Sequence, residues 1–119
     1  MEEEFVTYEQ ALALKELGFD EKCFKTYNED KELIFYCTGK YYYPAPLKQQ
    51  VFRWFREKYR LYANLSSWIH EEELGIYHEF EIYGNQNGVY GDGKYDTYEE
   101  AENACIDKLI EIAKQQVIS

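Results

Sequence analysis

Leu61-Tyr62-Ala63-Asn64-Leu65-Ser66-Ser67-Trp68-Ile69-His70 and, five residues beyond Glu71, Ile76-Tyr77-His78-Glu79-Phe80-Glu81-Ile82-Tyr83 decide the fold. Each run alternates, and side chains two apart share one face of a strand. Leu61, Ala63, Leu65 and Ile69 form one face of the first run, with Tyr62, Asn64, Ser66, Trp68 and His70 on the other. In the second, Ile76, His78, Phe80 and Ile82 are the apolar face, opposite Tyr77, Glu79, Glu81 and Tyr83. A turn at Glu71–Leu74 pairs Ile69 with Ile76, Leu65 with Phe80, Trp68 with Tyr77 and Tyr62 with Tyr83. A one-residue slip would turn the apolar set to water, so this register is favoured. Asn87-Gly88 reads as a further turn, and Val89–Tyr95, interrupted by Gly91 and Gly93, as a weak edge strand.

Helices flank this hairpin. Thr7-Tyr8-Glu9-Gln10 and Thr97-Tyr98-Glu99-Glu100 are capping boxes, each opening a helix. The first helix is expected over Tyr8–Leu17, stopped by Gly18 in the left-handed region, with Phe19 folding back onto Leu14. Lys22–Tyr27 and Glu32–Thr38 read as strands joined at Glu29–Lys31, which sets Cys23 opposite Cys37; a disulfide is one reading of that pair, and two core-facing thiols are favoured in a reducing compartment. Gly39–Pro46 reads as a loop, with Pro46 in the first turn of a helix ending near Arg60 and carrying Leu47, Val51, Trp54 and Phe55 on one stripe. The last helix has Tyr98, Ala101, Cys105, Leu109 and Ile112 as its core stripe. The expectation is a single α+β domain over residues 1–119, in the order α-β-β-α-β-β-(β)-α. One antiparallel sheet of four to five strands would carry three helices mainly on one face.

Composition bounds the function. The chain has 119 residues and a formal net charge of −10, which argues against direct nucleic-acid binding. No signal-like start and no long apolar run are present, and three cysteines is an odd count, so a reduced, cytoplasmic protein with no membrane association is expected. Between Lys48 and Arg60 stand five cations and one glutamate, a local +4 that leaves −14 for the rest. Gln49, Arg53, Arg56 and Arg60 cluster on one side of that helix.

The chemical motifs are weak. Gly88–Lys94 has P-loop spacing, but Tyr95 stands where Ser or Thr would hold magnesium and no βαβ unit surrounds it. Glu79 and Glu81 share a strand face about 7 Å apart, a spacing a hydrolytic carboxylate pair can use, with His70 as a further candidate. His70 with Glu71, Glu72 and Glu73 does not make a specific metal site, and His78 suits a hydrogen-bonded place on an apolar face. Cys105 lies on a buried stripe and reads as inert. No catalytic, cofactor or metal set emerges.

The opening Val6-Thr7-Tyr8-Glu9-Gln10-Ala11-Leu12-Ala13-Leu14-Lys15-Glu16-Leu17-Gly18-Phe19-Asp20 resembles a group of small uncharacterised proteins of Bacteroidetes genomes, phages and mobile elements. So do Pro46–Tyr59, around Phe52-Arg53-Trp54-Phe55-Arg56-Glu57-Lys58-Tyr59, and the closing Thr97-Tyr98-Glu99-Glu100-Ala101-Glu102-Asn103-Ala104-Cys105. The resemblance implies a phage-related or mobile-element origin and carries no functional residues. From Pro46 onward the element order also resembles a double-stranded-RNA-binding domain, but Asp96, Glu99, Glu100 and Glu102 stand where that likeness implies basic residues.

The resulting expectation is a non-enzymatic accessory protein that binds a protein partner or a second copy of itself. Its contacts would be the aromatic face of Tyr62, Trp68, Tyr77 and Tyr83 and, secondarily, the Gln49/Arg53/Arg56/Arg60 stripe. The alternatives are an acidic decoy of a nucleic-acid-binding protein, or a small hydrolase using Glu79, Glu81 or His70.

Overall fold

The computed structural model describes residues 2–70, 72, 75–84 and 88–118, with the side chains of residues 2, 70, 88, 89, 117 and 118 left aside. The chain is α+β: among the described residues there are three α-helices and six strands, the strands in two three-stranded antiparallel sheets, in the order α-β-β-β-α-β-β-β-α. Its internal contacts define two compact units, one of residues 1–51 and 110–119 and the other of residues 52–109.

In the first unit, α1 spans Tyr8–Glu16 and begins at the expected box: the Gln10 amide donates to the Thr7 hydroxyl at 3.1 Å, and the Thr7 amide to the Gln10 side chain at 2.9 Å. It stops as a Schellman motif, with Gly18 at φ +96° and amides of Phe19 and Gly18 donating to carbonyls of Leu14 and Lys15. Strands β1 (Lys25–Tyr27), β2 (Leu33–Phe35) and β3 (Tyr43–Ala45) form a sheet ordered β2-β1-β3. Lys25 pairs with Phe35 and Tyr27 with Leu33, the register read from the sequence. Tyr8 meets Tyr27 and Tyr43 edge-on, at 5.7 and 5.8 Å between ring centroids.

Three expectations for this unit are corrected. Tyr43–Ala45 is a strand and not part of a loop: Pro44, lacking an N–H, is accommodated because β3 is an outer strand. Pro46 precedes the helix, its carbonyl accepting from the Val6 amide, and Leu47 bridges Phe5 before α2 (Lys48–Tyr59) begins. Cys37 is exposed and not core-facing, because β2 ends at Phe35 and the Cys37 amide turns to the Thr26 hydroxyl at 3.2 Å.

The second unit contains β4 (Leu61–His70), β5 (Gly75–Gly84) and β6 (Gly88–Tyr95), ordered β4-β5-β6. The β4–β5 register is the expected one throughout, with Leu65 opposite Phe80 and Trp68 opposite Tyr77. The joining turn at Glu71–Leu74 and Asn87 lie outside the described residues, Glu72 excepted. The expected single sheet is thus overturned: β1–β3 and β4–β6 hydrogen-bond as separate sheets, and β6 is a full eight-residue strand.

Helix α3 (Tyr98–Ile118) starts at Thr97, whose hydroxyl accepts from the Glu100 amide at 3.1 Å. Its Ala101, Cys105 and Leu109 are fully buried, whereas Tyr98, expected in the stripe, is exposed and touches His78 edge-on at 5.9 Å. Further along, the Lys108 ammonium lies over the Tyr90 ring at 4.2 Å. The ten residues between these contacts advance about 15 Å along a helix, close to the run from His78 to Ile82, the partner of Tyr90. The helix therefore tracks β5 along the apolar face, over the level of Phe80 and Ile82, both 2% exposed. Ile69 and Ile76 were expected in the core but are 69% and 58% exposed, since their rung lies beyond the helix's first residue.

Candidate partner-binding face

On the side of β4–β5 opposite Phe80 and Ile82, the alternation sets out two aromatic pairs. Tyr62 stands across from Tyr83, and both are exposed; Trp68 stands across from Tyr77, both half-buried, with centroids 5.4 Å apart. The structure thus brings all four expected aromatics to one face. Gln49, Arg53, Arg56 and Arg60 are also all exposed, the first three on α2 and Arg60 just past its end at φ +55°.

Between the aromatic pairs lie Asn64 opposite Glu81 and Ser66 opposite Glu79. The Ser66 hydroxyl donates to Glu79 at 3.1 Å, and the Tyr83 phenol donates to Glu81. That carboxylate hydrogen bond is the main reason the Tyr83 phenol titrates above its ordinary value. On the far side, β6 offers no side chain at two positions on this face. Gly91 pairs with Glu81, and a Cβ placed on Gly93 would come within 3.3 Å of both the Glu79 Cβ and its carboxylate. The face is therefore a trough across the strands: small residues on β4, carboxylates on β5 and glycines on β6, between two aromatic walls. Tyr62 and Trp68 are six residues apart along β4, about 20 Å.

The trough depends on β6 pairing with β5 in the register that sets Gly91 opposite Glu81, which Val89–Tyr95, a weak edge strand by its pattern, does not announce. Gly91 and Gly93, two apart and so on one face of a strand, were its only written signal.

The other candidates fall as follows. Gly88–Lys94 is strand β6 of an antiparallel sheet, not a loop leading from a parallel strand into a helix. His78 is half-buried, with Nδ1 2.6 Å from the Ser67 hydroxyl, as its apolar-face position suggested. The side chain of His70 and residues Glu71 and Glu73 lie outside the described residues. Cys105 is fully buried, its thiol pushed up to about 12 by burial and then by Glu102, so it is held as the unreactive thiol. Among the described residues no helix is long and apolar enough to cross a membrane.

Comparison with family models, curated proteins and solved structures returns no match.

Proposed function

We propose that this chain is a non-enzymatic protein-binding module that docks a partner on the open face of β4–β6. The observation that carries this reading is the pair of cross-strand aromatic sets, Tyr62/Tyr83 and Trp68/Tyr77, on the side of the sheet away from its core. Rigid rings give large contact area at little entropic cost, and aromatic residues are enriched where proteins meet. The Arg53/Arg56/Arg60 stripe is a secondary surface in this reading. The phage-related or mobile-element setting implied by the resemblance suits a small accessory protein of this kind.

Trp68→Ala, Tyr62→Ala and Arg56→Ala, each checked for native circular dichroism, test it in pull-downs from the native host. Loss of one specific captured protein in the two aromatic variants, with capture kept in Arg56→Ala, is the expected result. Capture that is indifferent to both aromatics overturns the assignment of the face.

A further inference from the structure

The two outer strands of the β4–β6 sheet differ in a way that identifies a docking edge. Natural edge strands are blunted by charges, proline, bulges or glycine. β6 carries such devices: a register shift opposite His78 and Phe80, Gly91 and Gly93, the charged Asp92, and Lys94 at φ +69°. β4 carries none of them. It is ten residues long, and Leu61–His70 contains no aspartate, glutamate, lysine, arginine, proline or glycine. Among the described residues, Leu61–Ser67 make no backbone hydrogen bond beyond β5.

The side chains beside that edge state what it would accept. On the open face β4 presents the small Asn64 and Ser66, with Glu81 and Glu79 directly behind them on β5. Both carboxylates accept hydroxyl hydrogen bonds, and among the described residues neither is paired with a cation. A strand added to β4 would lie about 10 Å from β5. Lysine or arginine side chains on it extend over Asn64 and Ser66 for most of that way, and the Glu79 carboxylate, hydrogen-bonded to Ser66, leans toward them. Two such cations at positions i and i+2 share a face and repeat at about 7 Å, the spacing of Glu79 and Glu81. Tyr62 and Trp68 flank the two positions on the same face, and the exposed Tyr62 ring offers a face for cation–π contact.

We infer that the outer edge of β4 takes an extended, basic segment of a partner protein as a fourth strand, with cationic residues at alternate positions over Glu79 and Glu81. The inference rests on the reading of this face as the docking surface. It adds the partner's conformation, charge and spacing. The chain's own charge of −10 favours such a segment over a second copy, which would bring like charge to the same edge.

The test is fluorescence anisotropy with a labelled nine-residue peptide alternating lysine with threonine and valine. The wild-type chain is expected to bind it, more tightly at low than at high salt. Replacing the lysines by glutamate should abolish binding, and E79Q/E81Q should weaken it about tenfold. Ser66→Lys, which places an internal cation beside Glu79, should compete in the same way without removing a carboxylate. N-methylation of the amides along one peptide edge should abolish binding, and along the other should leave it intact. No binding by wild type, equal binding by E79Q/E81Q, or indifference to N-methylation on both edges overturns the inference. So does sedimentation showing that β4 is already occupied in a homodimer. Trp68→Ala capture of the host protein, measured in parallel, separates the two proposals: capture lost in Trp68→Ala with peptide binding absent in wild type removes the basic strand and keeps the face.

Discussion

The ammonium of Lys15 donates a 2.9 Å hydrogen bond to the carbonyl of Tyr42, and it also reaches the carbonyls of Lys40 at 3.2 Å and Gly39 at 3.3 Å. The last turn of α1 thus gathers three carbonyls of the segment leading into β3, with the Tyr43 ring beneath the same cation at 4.9 Å. Gly39 holds φ +144°, where a Cβ would meet the Tyr42 ring at 3.2 Å.

Lys15→Met keeps the stem and removes the donor. It should lower stability by about 1–2 kcal/mol, read as a shift in urea midpoint without change in slope. Limited proteolysis should cut between residues 38 and 42 faster than in wild type. An unchanged midpoint and cutting rate would show that the three carbonyls do not depend on the cation.

Thr7→Ala should cost about 1 kcal/mol, because it breaks a reciprocal box. Thr97→Ala should cost less: Thr97 accepts from the Glu100 amide, but among the described residues Glu100 makes no return bond. Equal losses at the two sites would count against this difference between the caps.

Local rules of the chain were legible, and long-range ones were not. The alternation in Leu61–His70 and Ile76–Tyr83 has one register that keeps the apolar set together, and all ten pairs follow it. Thr7, Gln10, Gly18 and Phe19 likewise act within a few residues of one another. Which strands share a sheet is a tertiary fact, and strands of three residues such as Leu33–Phe35 carry too little alternation to announce a partner. Pro44 hid a strand by looking like a breaker. The aromatic pairs of the candidate site followed from the register, whereas the trough between them needed the β5–β6 pairing that sets Gly91 opposite Glu81, which the broken alternation of Val89–Tyr95 does not announce.

The thiols should separate by reactivity. All three cysteines are free, Cys37 is exposed, and burial, aided by Glu21, pushes the Cys23 thiol up to about 12, as burial does for Cys105. Titration with a disulfide reagent at pH 8 should modify Cys37 first, with Cys23 and Cys105 following far more slowly until denaturant is added. Three equivalents in denaturant without reductant are expected; a single equivalent would mean a disulfide instead.

Alkaline pH should weaken the fold. Burial, with help from Asp92, pushes the Tyr95 phenol up to about 12, against about 10 in an unfolded chain. The raised value means the folded state keeps a proton that the unfolded state loses. This contribution is full below about pH 10 and is lost as pH rises through 12. Cys23 and Cys105 act in the same sense from about pH 8.5 upward. The melting temperature should fall steadily over this range, and less steeply in Tyr95→Phe. An identical alkaline limb in that variant would remove Tyr95 from the account.

Phe80 is 2% exposed and lies between the stacked rings of Tyr90 and Tyr95, each 6.0 Å away. Phe80→Ala should cost about 3–5 kcal/mol, and Phe80→Leu much less, with chemical denaturation as the measure. Similar losses for the two would point to a ring-specific role beyond volume.

The division of the chain has a consequence for its birth on the ribosome. The unit of residues 52–109 is one continuous stretch, whereas the other joins residues 1–51 to 110–119. Chains emerge from their N-terminus, and compact units tend to fold as they are released. The unit that is begun first is therefore completed last, when the buried Ile110, Ile112 and Ala113 join residues 1–51. A chain cut before residue 110 would lack those three buried side chains and leave its earliest-made core open.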